Sequence, residues 1–314
     1  MIEKDFDKEV LIVGNGGSSV NTRAKNLSKG KDIFRVNKFF LEPFPIFGRK
    51  IKLVVFPGEP FFIFFIDYIV KNKIYDIELV CYKKLHRRFF IPKTQKNMLL
   101  WDDFVIDNHC KESVPGFYDA NQIDSRLKYG KITSGPYLVN CAIQMGYKNI
   151  SIIGIDFYSE KSGKQYPISI PKIWKKISIF EAPFRSTRAN KKRGSSYDQG
   201  HSIAADVAYM EALVDKYKDV TFNVYTDEGN PYINWQHIAE SGSDNMVIHK
   251  MDEMCFDEQP AHCLPDIEKA VIEYKNDYFW KDKIMNAKHL FAHRGVILKN
   301  SFLGMKEYLL KVTN

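Results

Sequence analysis

Short apolar runs alternate along most of the chain with segments whose apolar positions recur every three or four residues. The first run, Glu9 to Val13, reads as a strand and opens into Gly14-Asn-Gly-Gly-Ser-Ser19, a turn and helix start. Asp32 to Lys38 and Lys52 to Phe56 read as a second and third strand. Phe61 to Asn72 is strongly apolar around Asp67, which predicts a buried helix. Asp76 to Tyr82 predicts a further strand. Residues 83–131 are irregular, basic and aromatic, with a helix expected just before Lys131.

The clearest pattern lies between Lys131 and Tyr158. Thr133 or Ser134 suits a helix cap and Pro136 suits a first turn. Leu138, Cys141, Ala142 and Met145 then form an apolar stripe, and Gly146 ends the helix. Ile150, Ile152, Ile153 and Ile155 predict a strand buried on both faces, as in a parallel sheet. Asp156, Phe157 and Tyr158 follow at its carboxyl end, where open α/β sheets bind ligands.

A long polar insertion follows. Between Lys172 and Arg193 eight basic residues face Glu181 alone, and a loop of this length inside a domain is usually functional or disordered. Ser202 is placed to cap a helix with Ile203, Val207, Met210, Val214 and Tyr217 on one face. Val220 to Tyr225 is one more strand. This alternation predicts a mostly parallel, doubly wound sheet.

From about residue 233 helical patterns dominate, which suggests a catalytic domain over 1–232 and a helical extension over 233–314. The tail from Lys281 mixes basic residues with Leu290, Phe291, Phe302 and Leu309. It reads equally as a basic amphipathic surface for a membrane and as a helical cap on the sheet.

Composition narrows the class. Apolar residues are 45% and charged residues 27% of the 314, as in ordinary globular proteins, and aromatics reach 14%. A net charge of +8 favours anionic partners: a nucleotide, an acidic sugar, anionic lipid or nucleic acid. No recognition-helix or RNP-type motif appears, so nucleic acid is not the expected partner. Five cysteines without C-x-x-C do not form a disulfide framework, and Cys81 and Cys141 read as core residues. Cys255, His262 and Cys263 match no zinc spacing. The N-terminus is not a signal peptide and no apolar run is long enough to span a bilayer, so the expected location is cytoplasmic.

Four features carry candidate chemistry. The glycines of Gly14-Asn-Gly-Gly-Ser-Ser19 let the backbone approach a phosphate, although Ser19 stands where a dinucleotide fingerprint wants Gly. The second strand ends in Asn37, whose amide contacts a nucleotide without repelling its charge. His201 lies just before a helix, where the positive helix end favours the neutral imidazole that accepts a proton. Tyr158 and Tyr166 flank the start of the insertion; their phenols are donors suited to a leaving phosphate, or packing aromatics. No Asp-x-Asp pair stands at a strand end, and the Gly-x-Ser-x-Gly and phosphate-loop motifs are absent.

Taken in order, Val13-Gly-Asn-Gly-Gly-Ser18, Phe34-Arg-Val-Asn37, Ile132-Thr-Ser-Gly135, Gly146-Tyr-Lys, Gly154-Ile-Asp-Phe-Tyr158, Tyr166-Pro and Gly200-His-Ser202 resemble the blocks of the bacterial sialyltransferases of glycosyltransferase family 42. The resemblance covers about residues 9–235. It implies a single Rossmann-type domain, a mostly parallel sheet flanked by helices in a GT-A-like variant, with a lid over about 160–200. It implies inverting transfer of sialic acid from CMP-sialic acid to a galactose-type hydroxyl of a bacterial lipo-oligosaccharide, without metal or cofactor.

By matched position, Asn15, Gly16, Ser18 and Asn37 would hold the nucleotide and its phosphate. Lys131, Thr133, Ser134, Gly135, Asp156 and Phe157 would line the cytidine and sialic acid pockets. Tyr158 and Tyr166 would donate to the departing phosphate, and His201 would be the general base. The resemblance also implies a homo-oligomer, and peripheral contact with the inner membrane would suit the basic tail. Lys131 replaces the family's usual Arg, Lys38 replaces a common Gln, and Phe56-Pro-Gly58 lacks the family's Asn before Pro. These departures leave two alternatives: transfer of another CMP-activated acidic sugar, and a non-catalytic basic protein that binds glycan or nucleotide.

Overall fold

A computed structural model of the chain describes residues 8–20, 26–37, 39–42, 45–56, 60–82, 98–100, 132–157, 203–228, 230–242, 244–251, 269–270 and 272–273. Lys131, Tyr158, Tyr166, His201, Ser202, the basic insertion, the expected helix before Lys131, the Cys255–Cys263 group and the tail from Lys281 lie outside the described residues. The chain divides into two compact units, Met1–Ile267 and Glu268–Asn314.

The first unit is built on one sheet of eight strands: β1 (Glu9–Val13), β2 (Asp32–Val36), β3 (Lys50–Phe56), β4 (Asp76–Tyr82), β5 (Met98–Leu100), β6 (Asn149–Ile153), β7 (Thr221–Asp227) and β8 (Met246–Met251). Their order is β5-β4-β3-β2-β1-β6-β7-β8, and every pairing is parallel. The doubly wound parallel sheet expected from the sequence is present. Among the described residues the unit also holds helices α1 (Pro60–Lys71), α2 (Ser134–Gln144), α3 (Ile203–Lys216) and α4 (Asn230–Gly242). No helix among the described residues is long and apolar enough to cross a membrane.

The central strands are apolar on both faces because both faces are covered. Val10, Ile12, Phe34, Val36, Leu53, Val55, Ile150 and Ile152 pack against Leu138, Cys141 and Ala142 of α2 and Met210, Leu213 and Val214 of α3. Leu11, Val13, Ile33 and Ile153 look the other way, onto Ile46 and Phe47. Phe39, Phe40, Phe56, Phe65 and Tyr75 form an aromatic cluster beside β3, with Phe40 stacked on Phe65 at 5.2 Å.

Inside that cluster Arg35 pairs with Glu42 at 2.9 Å, both buried, and the Tyr75 hydroxyl donates to the same carboxylate at 2.9 Å. Burial pushes the Glu42 carboxyl up against the pull of Arg35 and Tyr75. The Arg35 guanidinium also sits over the rings of Phe39 and Phe47.

Two expectations need correction. The apolar stripe assigned to α3 is the flank of its buried face: Met210 and Val214 are buried, but Ile203, Val207 and Tyr217 are partly covered, and the face centres on Ala205, Tyr209, Ala212 and Leu213. The domain boundary expected after residue 232 falls inside the first unit, where α4 continues the chain to β8, which adds to the sheet beside β7. β8 escaped notice because His249 and Lys250 interrupt its apolar residues, which an edge strand tolerates.

Candidate active site

The strand order reverses between β1 and β6, whose register pairs Val13 with Ile153. Two chains leaving a parallel sheet in opposite directions open a crevice at its carboxyl edge, the place where such folds bind nucleotides. Four segments meet there: the turn after β1, the end of β2, the start of α2 and the turn after β6.

The two turns are locked together. The Gly14 amide donates to the Ile153 carbonyl at 2.8 Å and the Gly16 amide to the Gly154 carbonyl at 2.8 Å. A Cβ on Gly14 would overlap the Gly154 carbonyl oxygen, and one on Gly16 would overlap the Asp156 carboxyl. Gly154 itself has a φ of +74°, in the left-handed region that glycine tolerates. The glycines are therefore required for contact between the turns, whatever they offer a phosphate.

Ser18 and Asp156 complete the lock. The Ser18 amide donates to Asp156 Oδ2 at 2.9 Å, its hydroxyl donates to Oδ1 at 2.7 Å, and that hydroxyl accepts from the Gly154 amide at 2.8 Å. Ser18 is fully buried, so its hydroxyl braces the turns. Asn15 ties in the end of β2, its Nδ2 donating to the Val36 carbonyl at 3.0 Å.

Asn37 leaves β2 with a φ of 50° and its amide donates to the Val55 carbonyl at 2.9 Å. Asn is among the few residues that adopt this conformation readily. The Ser134 hydroxyl lies 3.5 Å from Asn37 Oδ1, at the outer limit of a hydrogen bond, and Gly135 brings the α2 backbone against the Ile155 side chain. Thr133, Ser134 and Gly135 are thereby seated between β2 and β6.

Phe157 is the least ordinary residue. Its φ of 47° is costly for a bulky side chain, and it is almost fully buried. Trp235 of α4 holds it: the rings lie 4.8 Å apart and the indole N–H donates to the Ile155 carbonyl at 3.1 Å. Strain of this kind persists where surrounding structure over-determines it, which is common at functional sites.

The residues singled out in the sequence thus divide cleanly. Asn15, Gly16, Ser18, Asn37, Thr133, Ser134, Gly135, Asp156 and Phe157 lie on the four segments that meet at the carboxyl edge of β1 and β6, whereas Lys131, Tyr158, Tyr166 and His201 lie outside the described residues. Sequence reasoning missed Trp235 and Asp206. The Asp206 carboxylate accepts from the Thr133 amide at 2.7 Å and the Thr133 hydroxyl at 2.8 Å. The available signal was an acid amid the buried positions of an amphipathic helix.

Cys81 and Cys141 are buried, as expected, and burial pushes the Cys141 thiol and the neighbouring Tyr137 phenol up, so both keep their protons. Among the described residues, no three His, Cys, Asp or Glu side chains gather as metal ligands.

Comparison with known proteins identifies the family. The model of the alpha-2,3-sialyltransferase (CST-I) family matches residues 8–257. The chain belongs to that family. The family match spans the whole sheet, from β1 to β8, and every segment of the crevice. A variant of the sialyltransferase CST-II in complex with CMP aligns at 25% identity with a TM-score of 0.50, over 69% of this chain and 81% of that one. A second CST-II variant, also with CMP, aligns at 26% identity and a TM-score of 0.50, over 69% and 80%. CstII from Campylobacter jejuni, in complex with CMP, aligns at 23% identity and a TM-score of 0.49, over 70% and 80%. No curated protein matches the chain by sequence. The chain is accordingly a sialyltransferase, a glycosyltransferase that takes sialic acid from a CMP donor and passes it to a glycan.

Proposed function

We propose that the protein is an inverting sialyltransferase that works without a metal ion, with His201 as general base and Tyr158 and Tyr166 as donors to the leaving phosphate. The observation that carries this reading is the convergence of the Gly14–Gly16 turn, Asn37, Thr133–Gly135 and Asp156–Phe157 on the crevice between β1 and β6. The CMP of the CST-II complexes is the nucleotide half of such a donor.

The chemistry asked of these residues is limited. The acceptor hydroxyl oxygen attacks the anomeric carbon of the sialyl group as the bond to the CMP phosphate breaks, and the configuration inverts. The hydroxyl proton passes to the neutral imidazole of His201. The departing phosphate gains charge, and two phenol hydrogen bonds stabilise it in a water-poor site, the service a divalent cation supplies elsewhere. Tyr158 directly follows Phe157 in the chain, so the backbone fixed by Trp235 leads straight to one of the two phenols.

The acceptor in this reading is a galactose-type hydroxyl of a surface lipo-oligosaccharide, met at the cytoplasmic face of the inner membrane. The basic C-terminal tail makes the peripheral contact, and the enzyme works as a homo-oligomer. Lys131, in place of Arg, offers the donor a point charge instead of a bidentate fork, which favours testing other CMP-activated acidic sugars alongside sialic acid.

The test is His201→Ala, assayed with CMP-sialic acid and labelled galactosides in EDTA. The expected variant keeps its CMP affinity and loses transfer by about a hundredfold or more. A variant that transfers as fast as wild type removes His201 from the mechanism, and dependence on added divalent cation removes the metal-free reading.

A further inference from the structure

Asp206 sits in the first turn of α3 with a carboxylate that is almost entirely buried. Burying a carboxylate is costly unless hydrogen bonds repay it, and apolar residues fill such positions more cheaply. Here the two oxygens take both donors of one residue, the amide and the hydroxyl of Thr133, at 2.7 and 2.8 Å.

Thr133 is the N-cap of α2, in extended conformation, yet its side chain makes no capping hydrogen bond. An N-cap hydroxyl ordinarily accepts from the amide of the second or third helical residue. The third is Pro136, which has no amide hydrogen, so the ordinary partner would be Gly135. Turning the hydroxyl toward Asp206 leaves the amides of Ser134 and Gly135 without a partner inside their own helix. Those amides belong to the segment that reaches Asn37 and Ile155 at the crevice. One carboxylate thus fixes the start of α2 against the start of α3, and His201 is joined to α3 by a single intervening residue, Ser202.

We infer that Asp206 is a positioning residue for sialyl transfer: by holding both donors of Thr133 it sets the Thr133–Ser134–Gly135 turn against α3 and keeps the first α2 amides turned to the anionic donor. The inference rests on the donor-site reading above. It differs from that reading in naming a buried residue that touches no substrate and acts through Thr133.

The experiment compares wild type, Asp206→Asn, Thr133→Val and the double variant by CMP titration calorimetry, by donor KM and kcat, and by thermal unfolding. Measurements are made well below the lowest midpoint. An amide at position 206 turns a donor toward one donor of Thr133, and valine removes the hydroxyl. Each single variant is expected to weaken CMP binding and raise donor KM by about tenfold, and the double variant to be no worse than the weaker single. If Asp206→Asn does not fold, Thr133→Val alone must still show the rise in KM. Folded variants with lowered midpoints but wild-type CMP affinity and KM would reduce Asp206 to a purely structural acid, and additive losses would break its link to Thr133. Wild type that fails to bind CMP overturns the donor-site reading itself, an outcome distinct from variants that match a CMP-binding wild type.

Discussion

Ser18 and Asp156 stand 138 residues apart in the chain, yet the serine gives both its amide and its hydroxyl proton to the one carboxylate. This pairing fastens the turn after β1 to the turn after β6, the two segments that frame the crevice. The same hydroxyl accepts from the Gly154 amide, so two of these hydrogen bonds depend on the buried Ser18 side chain.

Ser18→Ala should lose the hydroxyl's donation to Asp156 and leave the buried Gly154 amide unsatisfied. An unsatisfied buried donor costs about 1–3 kcal/mol. Calorimetric unfolding should show a lower midpoint, and CMP affinity should fall as the two turns loosen. An unchanged midpoint together with unchanged affinity would show that the clasp has no such part.

At Phe157 the order of two substitutions is informative. Alanine removes the ring packed against Trp235 and keeps a Cβ at positive φ, at a cost of about 3–5 kcal/mol. Glycine loses the same ring but relieves roughly 1–2 kcal/mol of backbone strain. Phe157→Gly should therefore be more stable than Phe157→Ala in urea unfolding, the reverse of the usual ranking.

Arg35→Met should turn Glu42 into a pH-sensitive liability. Burial already raises the Glu42 carboxyl, and the Arg35 charge opposes that rise. Without Arg35 the folded state holds the carboxyl proton more tightly still, whereas the unfolded chain releases it near pH 4.3, to order of magnitude. Stability of the variant is then greatest below that value and is lost as pH rises toward the folded value, by up to about 1.4 kcal/mol per unit. Urea denaturation of variant and wild type between about pH 5 and 8 should diverge with rising pH.

The buried thiols supply a control on the core. Cys81 and Cys141 are both buried, and burial raises the Cys141 thiol. Mapped alkylation should leave both unmodified in the native protein and modify both in denaturant. Native-state reaction at Cys141 would contradict the packing of α2 on the sheet.

Much of this architecture was legible in the sequence, for reasons that can be named. β1 and β6 are short, mostly apolar runs bounded by turn residues, so their existence and burial follow from sequence, but the strand expected to reach Ile155 ends at Ile153, where Gly154 turns the chain at a φ of 74°. α2 was readable because Leu138, Cys141, Ala142 and Met145 recur at helical spacing and Gly146, at a φ of 95°, ends it. β8 was not readable, since an edge strand carrying His249 and Lys250 lacks the uniform hydrophobicity of a central one.

The site was legible as a set of residue types but not as a set of contacts. Gly16 and Ser18 suggested phosphate binding, and the structure gives them a prior task in joining two turns. Thr133 suggested a cap, but its hydroxyl is held by Asp206, 73 positions away. A partner so distant in sequence leaves no local pattern. Trp235 was hidden by the same distance, although it fixes the backbone from which Tyr158 continues.

The most direct test of the account is acceptor-dependent release of CMP from CMP-sialic acid, followed in EDTA for wild type and Gly16→Val. A side chain at position 16 must displace the Asp156 carboxyl and spread the two turns. Wild type should release CMP in step with sialylated galactoside, and the variant should lose nearly all of that release while remaining folded. Turnover by Gly16→Val at the wild-type rate, or no acceptor-dependent release by wild type, would contradict the placement of sialyl transfer at the crevice between β1 and β6.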